Sequence, residues 1–298
     1  MNTVILIIVD GIVKASWLFL LSVGLSIVYG VLRILNLAHG SLYALGGFVA
    51  AILVTDWVEH GRWEEGTFLI LFVAAALVGL ASGPVIERGA LQWIYGRDQA
   101  LQLLATYALF LILEGLQIAL WSSESFQTYV PFSVLGNFAL AGVIYPWYYA
   151  ILLGTAVTAG LILWAFLNRS RFGRLIAAVT YDREISRALG INLRVVYVIT
   201  FTIGAFLAGL GGAMSAPMVS VVPGFAVDAT VAAFAVVVIG GLGSIGGAAV
   251  GALVVGVAQA WAVHEAPDIE VFAIYLVMTS VLLIRPQGLF AREAVRRI

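Results

Sequence analysis

The chain has 298 residues, of which 62% are hydrophobic and 10% are charged, and its formal net charge is −1. Soluble domains carry about 25% charged residues, so this composition excludes a soluble protein. The lack of cysteine excludes disulfides, thiol catalysis and cysteine-ligated metals. The single lysine, Lys14, precedes an alanine, which excludes the Gly-Lys-Ser/Thr motif of a phosphate-binding loop.

Apolar runs long enough to span a membrane recur along the whole chain. A spanning helix needs about 20 mostly apolar residues. The runs cover 15–32, 34–55, 67–86, 99–123 with one glutamate inside, 148–168, 195–216, 229–263 and 271–284. The run 229–263 either crosses twice or dips in and returns. The sequence therefore predicts an all-α polytopic membrane protein with eight or nine spans, and residues 1–298 form one transmembrane domain.

The connections between these runs alternate in charge. Segments 56–66, 122–147 and 264–270 are acidic, whereas 87–98, 168–194 and the tail from 285 are rich in arginine. Basic connections stay in the cytoplasm. The alternation predicts an N-terminus outside and a C-terminus in the cytoplasm.

The first candidate for the translocation pathway is the polar interruption at Asn36, His39 and Gly40. Asparagine is a good helix N-cap, so a helix is expected to begin here. A broken helix at membrane depth is tolerated inside protein or beside a water-filled cavity. The alternative is an ordinary cap and turn at the membrane surface.

The second candidate is the glycine-rich stretch 240–247, which contains Gly241, Gly243 and Ser244. Its Gly-x-Gly-x-x-Gly spacing matches a dinucleotide fingerprint, but that motif needs a preceding strand and a soluble βαβ unit. A tight turn between two half-helices explains the stretch better. Packing glycines remain an alternative.

The third candidate is Glu114, a carboxylate in the middle of a predicted span. Such a residue is a functional candidate by default. A structural glutamate near Gln117 on the same helix face is an equally good interpretation.

The arginine-rich segment 169–194 contains a possible amphipathic helix over 174–190. Its apolar stripe would be Leu175, Val179, Ile185 and Leu189, and Gly190 is placed to end it. A short helix cannot bury such a stripe alone, so it needs a membrane surface or a partner protein.

Four segments together resemble the membrane subunit of branched-chain amino acid ABC importers. They are 29–47, the coupling-like segment 182–191, the glycine-rich 238–247 and Arg285-Pro-Gln-Gly-Leu-Phe290. The resemblance covers nearly the whole chain. It implies that segment 169–194 is the coupling loop and that its ATPase contacts are Asp182, Arg183, Glu184, Arg187 and Gly190.

The resemblance also implies partners and a location. A sister permease, two ATPase subunits and an extracellular or periplasmic binding protein are expected, in the bacterial inner membrane. This chain is expected to bind no cofactor, because ATP is used by the partner, and no nucleic acid. Urea, short amides or aromatic acids are alternative substrates within the family, and a stand-alone secondary transporter is an alternative outside it.

Overall fold

The computed structural model describes residues 2–121, 124–140 and 142–290. Within these residues, eight helices are long and apolar enough to cross a membrane, which confirms the polytopic helical fold. They are α1 (Asn2–Leu32), α2 (His39–Glu59), α3 (Thr67–Gly89), α4 (Gln99–Trp121), α6 (Tyr148–Arg169), α9 (Leu193–Ser215), α11 (Ile245–Glu265) and α12 (Glu270–Ile284). The 3₁₀ turn ahead of α12 extends the last of them to an 18-residue span, Pro267–Ile284. The shorter helices are α5 (Val130–Ser133), α7 (Arg171–Tyr181), α8 (Arg183–Ala188) and α10 (Phe225–Gly240). Single 3₁₀ turns lie at Glu64–Gly66, Leu91–Trp93 and Pro267–Ile269.

A β-hairpin is the one departure from the all-helical expectation in the described part of the chain. Strands β1 (Asn137–Leu140) and β2 (Val143–Pro146) pair antiparallel, with Asn137 opposite Pro146. The sequence interpretation had made this region a loop. Phe138 before a turn that contains Gly142 (φ +83°), and Val143, Ile144 and Tyr145 after it, favour the hairpin.

Helix α1 is longer than the predicted run 15–32, because it begins at Asn2 and contains two charged side chains. Both are paired with other helices. Asp10 Oδ2 lies 2.7 Å from His264 Nε2 of α11, and Lys14 Nζ lies 3.7 Å from Glu270 Oε1 at the start of α12. Because Asp10 and Lys14 are paired, the helix continues through them. A search for charge-free runs instead ends the predicted helix at such residues.

Helix α9 is the central packing element, and glycines bring its neighbours close. A Cβ at Gly46 of α2 would lie 2.6 Å from Gly209 Cα, and one at Gly83 of α3 would lie 2.7 Å from Thr202 Cα. Small residues permit such backbone contact between membrane helices.

The predicted arginine-rich connections meet at one end of the bundle, which we call the arginine-rich end. The Arg33 guanidinium donates a hydrogen bond to Thr180 O, so the end of α1 lies beside α7. The ring of Tyr95, after α3, packs against Tyr197 near the start of α9. The assignment of this end to the cytoplasm remains a prediction from charge.

Candidate functional site

Helix α2 begins in the interior of the bundle. Residues 33–38 separate it from α1, and His39 Nε2 lies 3.0 Å from Leu21 O. Leu21 is about three turns, or about 16 Å, before the end of α1 at Leu32. The chain therefore runs back into the membrane before α2 starts, as a broken helix at membrane depth requires.

Asn36 was predicted to cap α2, and this prediction was wrong. The N-cap position is Ala38, which forms no side-chain cap bond. Asn36 instead accepts two hydrogen bonds from the turn ahead of the helix. Its Oδ1 accepts from the Ala38 N–H at 3.2 Å, and its backbone oxygen accepts from the His39 N–H at 3.2 Å. Asparagine side chains often bond the backbone two residues on, which explains the difference.

Helix α10 also begins in the interior, and Glu114 holds its start. Glu114 Oε1 accepts a hydrogen bond of 2.7 Å from the Gly224 N–H, at the N-cap position of α10. Glu114 is about two turns, or about 10 Å, from the end of α4 at Trp121. The predicted start of this helix at residue 229 was too late, since α10 begins at Phe225.

The starts of α2 and α10 lie against each other and against α4. A Cβ at Gly40 would approach Thr230 N to 2.8 Å, so only glycine fits where the two helices meet. One turn beyond Glu114, Gln117 Nε2 donates a 3.4 Å hydrogen bond to Ser41 O. Glu114 and Gln117 therefore share one face, as predicted, and this face contacts the starts of both helices.

Asp228 is a candidate that sequence reasoning missed. It lies one turn after Gly224, it is exposed, and its carboxyl group makes no hydrogen bond or ion pair with any described residue. A search for charge-free runs treats Asp228 as the boundary of a run and therefore places this residue in a surface loop. The Pro223-Gly224 pair ahead of an apolar run was the available signal for an earlier helix start.

Several buried polar atoms around these helix starts have no hydrogen-bond partner among the described residues. They are Asn36 Nδ2, His39 Nδ1, Ser41 Oγ and Glu114 Oε2, with Ser22 Oγ, Ser26 Oγ and Thr200 Oγ1 on α1 and α9. Buried polar groups are nearly always paired, and unpaired ones at membrane depth mark a polar pathway or a binding site. No cluster of metal-ligating side chains occurs in residues 2–121, 124–140 and 142–290.

Gly241, Gly243 and Ser244 lie at the arginine-rich end, away from the other pathway candidates. The Cβ position of Gly243 is 3.1 Å from Gly30 Cα near the end of α1, and Ser244 Oγ accepts a hydrogen bond from the Gly247 N–H at the start of α11. The length of α10, about 24 Å, separates them from Gly224. The predicted turn is present, with φ +101° at Gly241 and +81° at Gly243.

The prediction of two half-helices around this turn was half wrong. Helix α10 has 16 residues, but α11 has 21 and is long enough to span. The element before the Gly-x-Gly-x-x-Gly spacing is the helix α10, which agrees with the rejection of a dinucleotide site.

The predicted single helix over 174–190 is two helices, because Asp182 ends one and caps the next. Asp182 Oδ1 accepts hydrogen bonds from the Glu184 N–H at 2.8 Å and the Ile185 N–H at 3.0 Å. The proposed stripe is divided in consequence. Val179 of α7 is buried against the bundle, whereas Ile185 and Leu189 are 58% and 77% exposed.

The other residues assigned to the coupling loop point in two directions. Glu184, Arg187 and Gly190 are exposed, and Gly190 ends α8 with φ +82°. Arg183 reaches inward, and its Nη2 donates a 2.9 Å hydrogen bond to Val31 O in the last turn of α1.

Comparisons with known proteins place these features in a family. The family model of the branched-chain amino acid transport system, permease component, matches residues 7–283. The high-affinity branched-chain amino acid transport system permease protein BraD of Pseudomonas aeruginosa is 29% identical, over 97% of this chain and 96% of its own. The corresponding protein LivH of Escherichia coli K12 is 28% identical over the same shares.

The remaining similarities are to a permease of another kind and to a solved structure. The ribose import permease protein RbsC of Escherichia coli K12 is 28% identical, over 74% of this chain and 67% of its own. Among solved structures, PsaBC from Streptococcus pneumoniae in complex with Fab matches at 13% identity with a TM-score of 0.46, over 92% of this chain and 89% of that one. By its full-length family match, the chain belongs to the permease components of branched-chain amino acid transport systems.

Proposed function

We propose that this chain is one membrane-spanning subunit of an ATP-driven importer and that its substrates are branched-chain or related hydrophobic amino acids. Its family membership and its eight apolar helices make it a multi-pass transport protein of the inner membrane. The substrate class rests on the names of the relatives BraD and LivH, which are branched-chain amino acid permeases.

The observation that carries the proposal is the pair of helices that begin side by side inside the membrane. Helix N-termini carry partial positive charge, and interrupted helices in transporters direct these ends at the anionic groups of substrates. Glu114 and Asp228 add negative charge beside the same helix starts. An amino acid presents a carboxylate and an ammonium group together. The helix starts can attract the carboxylate, and the acidic side chains can attract the ammonium group.

The wall formed by α4 and the starts of α2 and α10 is one half of the proposed pathway. Asp228 is exposed at membrane depth, and an unpaired carboxylate facing lipid would be costly. A sister permease facing this wall would enclose Asp228 in a polar passage. Asn36, His39, Gly40 and Glu114 line or support this half.

Energy is proposed to come from two separate ATPase subunits, with no cofactor bound by this chain. The exposed apolar side chains of Ile185 and Leu189, next to Glu184 and Arg187, form a surface suited to a groove on such a partner. Gly241, Gly243 and Ser244 are proposed to act at the inner end of the pathway, where α10 and α11 meet α1.

The test is ATP-driven uptake by the reconstituted complex. The chain is co-expressed with the sister permease, ATPase and binding-protein subunits proposed as its partners, and the complex is placed in proteoliposomes loaded with ATP. Radiolabelled leucine, isoleucine and valine should accumulate only with ATP and binding protein present. Ribose and urea are the matched competitors.

Two results would refute the proposal. Accumulation by the purified chain alone would indicate a secondary transporter. Competition by ribose or urea, but not by hydrophobic amino acids, would keep the importer and replace the substrate class.

A further inference from the structure

Arg183 connects the coupling loop to the transmembrane bundle. It is the first residue of α8, but its guanidinium donates to Val31 O, one of the last carbonyl groups of α1. The carbonyls of a terminal helical turn have no partner within the helix, and a cation there is favourable. The guanidinium also lies 5.7 Å from the ring centre of Tyr197 on α9. One side chain thus joins α8, α1 and α9.

The Tyr197 ring is itself held in place. The Tyr95 ring packs edge-on against it at 4.9 Å, and the Tyr95 hydroxyl donates a 2.9 Å hydrogen bond to Glu87 Oε1. Burial is the main cause that raises the pKa of Tyr95, and the nearby Glu87 carboxyl group raises it further. The hydroxyl therefore keeps the proton that it donates. The ring that receives Arg183 is therefore supported by a contact and a hydrogen bond from a second part of the chain.

A second arginine makes the reverse connection. Arg33, the residue after α1, donates through Nη2 to Thr180 O in the last turn of α7, at 3.3 Å. Its φ of +53° is the only positive value among the described non-glycine residues. A left-handed conformation is unfavourable for such a residue, so its surroundings hold it there.

Both arginine contacts lie at the start of the segment that leads to the candidate site. Arg33 begins the stretch 33–38, and Leu35 O in this stretch accepts a 3.0 Å hydrogen bond from Thr106 Oγ1 of α4. The stretch ends at His39, where α2 begins. A displacement of α8 would thus act on the end of α1 and, through a six-residue connection, on the start of α2.

We infer that Arg183 is a positioning residue that transmits movement of α8 to the α1–α2 break, with Arg33 as the reciprocal link. This inference rests on the proposed function, because it assumes an ATPase that moves α8. It assigns Arg183 to the bundle side of the loop and leaves Glu184, Ile185 and Arg187 to the ATPase side. Loss of Arg183 should therefore separate ATP hydrolysis from transport.

The first experiment compares ATP hydrolysis with uptake in proteoliposomes containing the whole complex. In Arg183→Gln, hydrolysis should stay within about twofold of the unsubstituted complex while uptake falls about tenfold, as expected for loss of a charged hydrogen bond in a coupling step. Arg183→Lys should lie between, because it keeps a donor for Val31 O without the planar stacking on Tyr197. Arg174→Gln, which removes an exposed arginine of α7, is the matched control and should change neither rate.

The second experiment measures movement directly and uses the absence of native cysteine. Spin labels at Ala188→Cys on α8 or Leu37→Cys in the break are each paired with a label at Leu80→Cys on the exposed face of α3. Nucleotide trapping should shift both distances in the unsubstituted complex. With Arg183→Gln, the Ala188 distance should still shift and the Leu37 distance should not.

The outcomes distinguish this inference from the proposed function. Absence of ATP-driven amino acid uptake by the unsubstituted complex would refute the proposed function. An unchanged ratio of uptake to hydrolysis in Arg183→Gln, or a parallel fall of both rates, would refute the inference. The spin-label measurement needs no substrate, so a Leu37 distance that still shifts in Arg183→Gln also overturns the inference.

Discussion

The contact between Gly240 and Gly247 gives the sharpest prediction about packing. A Cβ at Gly247 would overlap the carbonyl oxygen of Gly240 and lie 2.7 Å from its carbonyl carbon. The reverse contact is equally close, so backbone meets backbone where α10 turns into α11. The neighbouring Gly246 has no heavy atom within 4 Å of its Cβ position. Gly247→Ala and Gly246→Ala therefore add the same methyl group to adjacent positions of one helix.

The expected magnitude follows from this geometry. Overpacking costs about 1–3 kcal/mol, and backbone atoms cannot move aside as a flexible side chain would. Alanine regains at most about 1 kcal/mol of helix propensity, and both variants receive this gain. Gly247→Ala should thus be about 1–3 kcal/mol less stable than Gly246→Ala, which should be neutral or slightly stabilising. For a chain of this size, the difference corresponds to a Tm lower by roughly 2–5 °C in Gly247→Ala than in Gly246→Ala.

The assay is thermal unfolding of the purified complex, followed by size-exclusion chromatography of a fluorescent fusion after heating. Unsubstituted protein and Gly115→Ala, another position with no heavy atom within 4 Å of its Cβ, serve as references. Equal Tm values for the Gly246 and Gly247 variants would contradict the reasoning, because only one of these positions is occupied by backbone atoms.

Three further predictions concern polar contacts. Glu114→Gln keeps an acceptor for the Gly224 N–H and should retain the Tm of the unsubstituted protein. Glu114→Leu removes the acceptor and should lose about 1.5–3 kcal/mol of stability and at least tenfold in uptake rate, with Tm and uptake measured for both variants in parallel. Asp182→Ala removes the cap of α8 and should speed hydrogen exchange of its amides by a factor that corresponds to about 0.5–2 kcal/mol; unchanged exchange would argue against the cap. Asp228→Asn should raise the KM for amino acid uptake by about tenfold without lowering Tm, while Asp228→Glu should restore affinity in part. A fall in Tm for Asp228→Asn would assign this residue to packing instead.

Sequence patterns predicted the spans well where a run is apolar throughout. The cores of α3, α4, α6, α9 and α12 lie in runs found from composition alone. The predicted helix boundaries were wrong where a charged residue lies inside a helix. Asp10 and Lys14 lie inside α1, and Asp228 lies inside α10, because pairing or exposure to a polar passage permits a charge that a hydropathy criterion rejects.

The loop 169–194 shows the same limit at a smaller scale. Periodicity predicted one amphipathic helix, but the Asp182 carboxylate bonds the amides ahead of it and starts a new helix with a different orientation. Side chains that looked like one stripe then face opposite ways. An aspartate can either continue a helix or cap a new one. Only the hydrogen bonds in the folded chain show which of the two it does, because the spacing of apolar residues is similar in both cases.

Composition and order along the chain by themselves determined that this is a helical membrane protein without a nucleotide-binding loop, with glycine-rich breaks and arginine-rich connections. Tertiary structure decided the depth and direction of the parts that matter for transport. The contacts between His39 and Leu21, between Glu114 and Gly224, and between Arg183 and Val31 each join residues far apart in sequence. Hydropathy measures how a segment partitions into lipid, and it cannot report which remote segment meets it there. That is why the sequence predicted a break near Asn36, but the contacts that place the starts of α2 and α10 side by side in the interior became visible only in the folded chain.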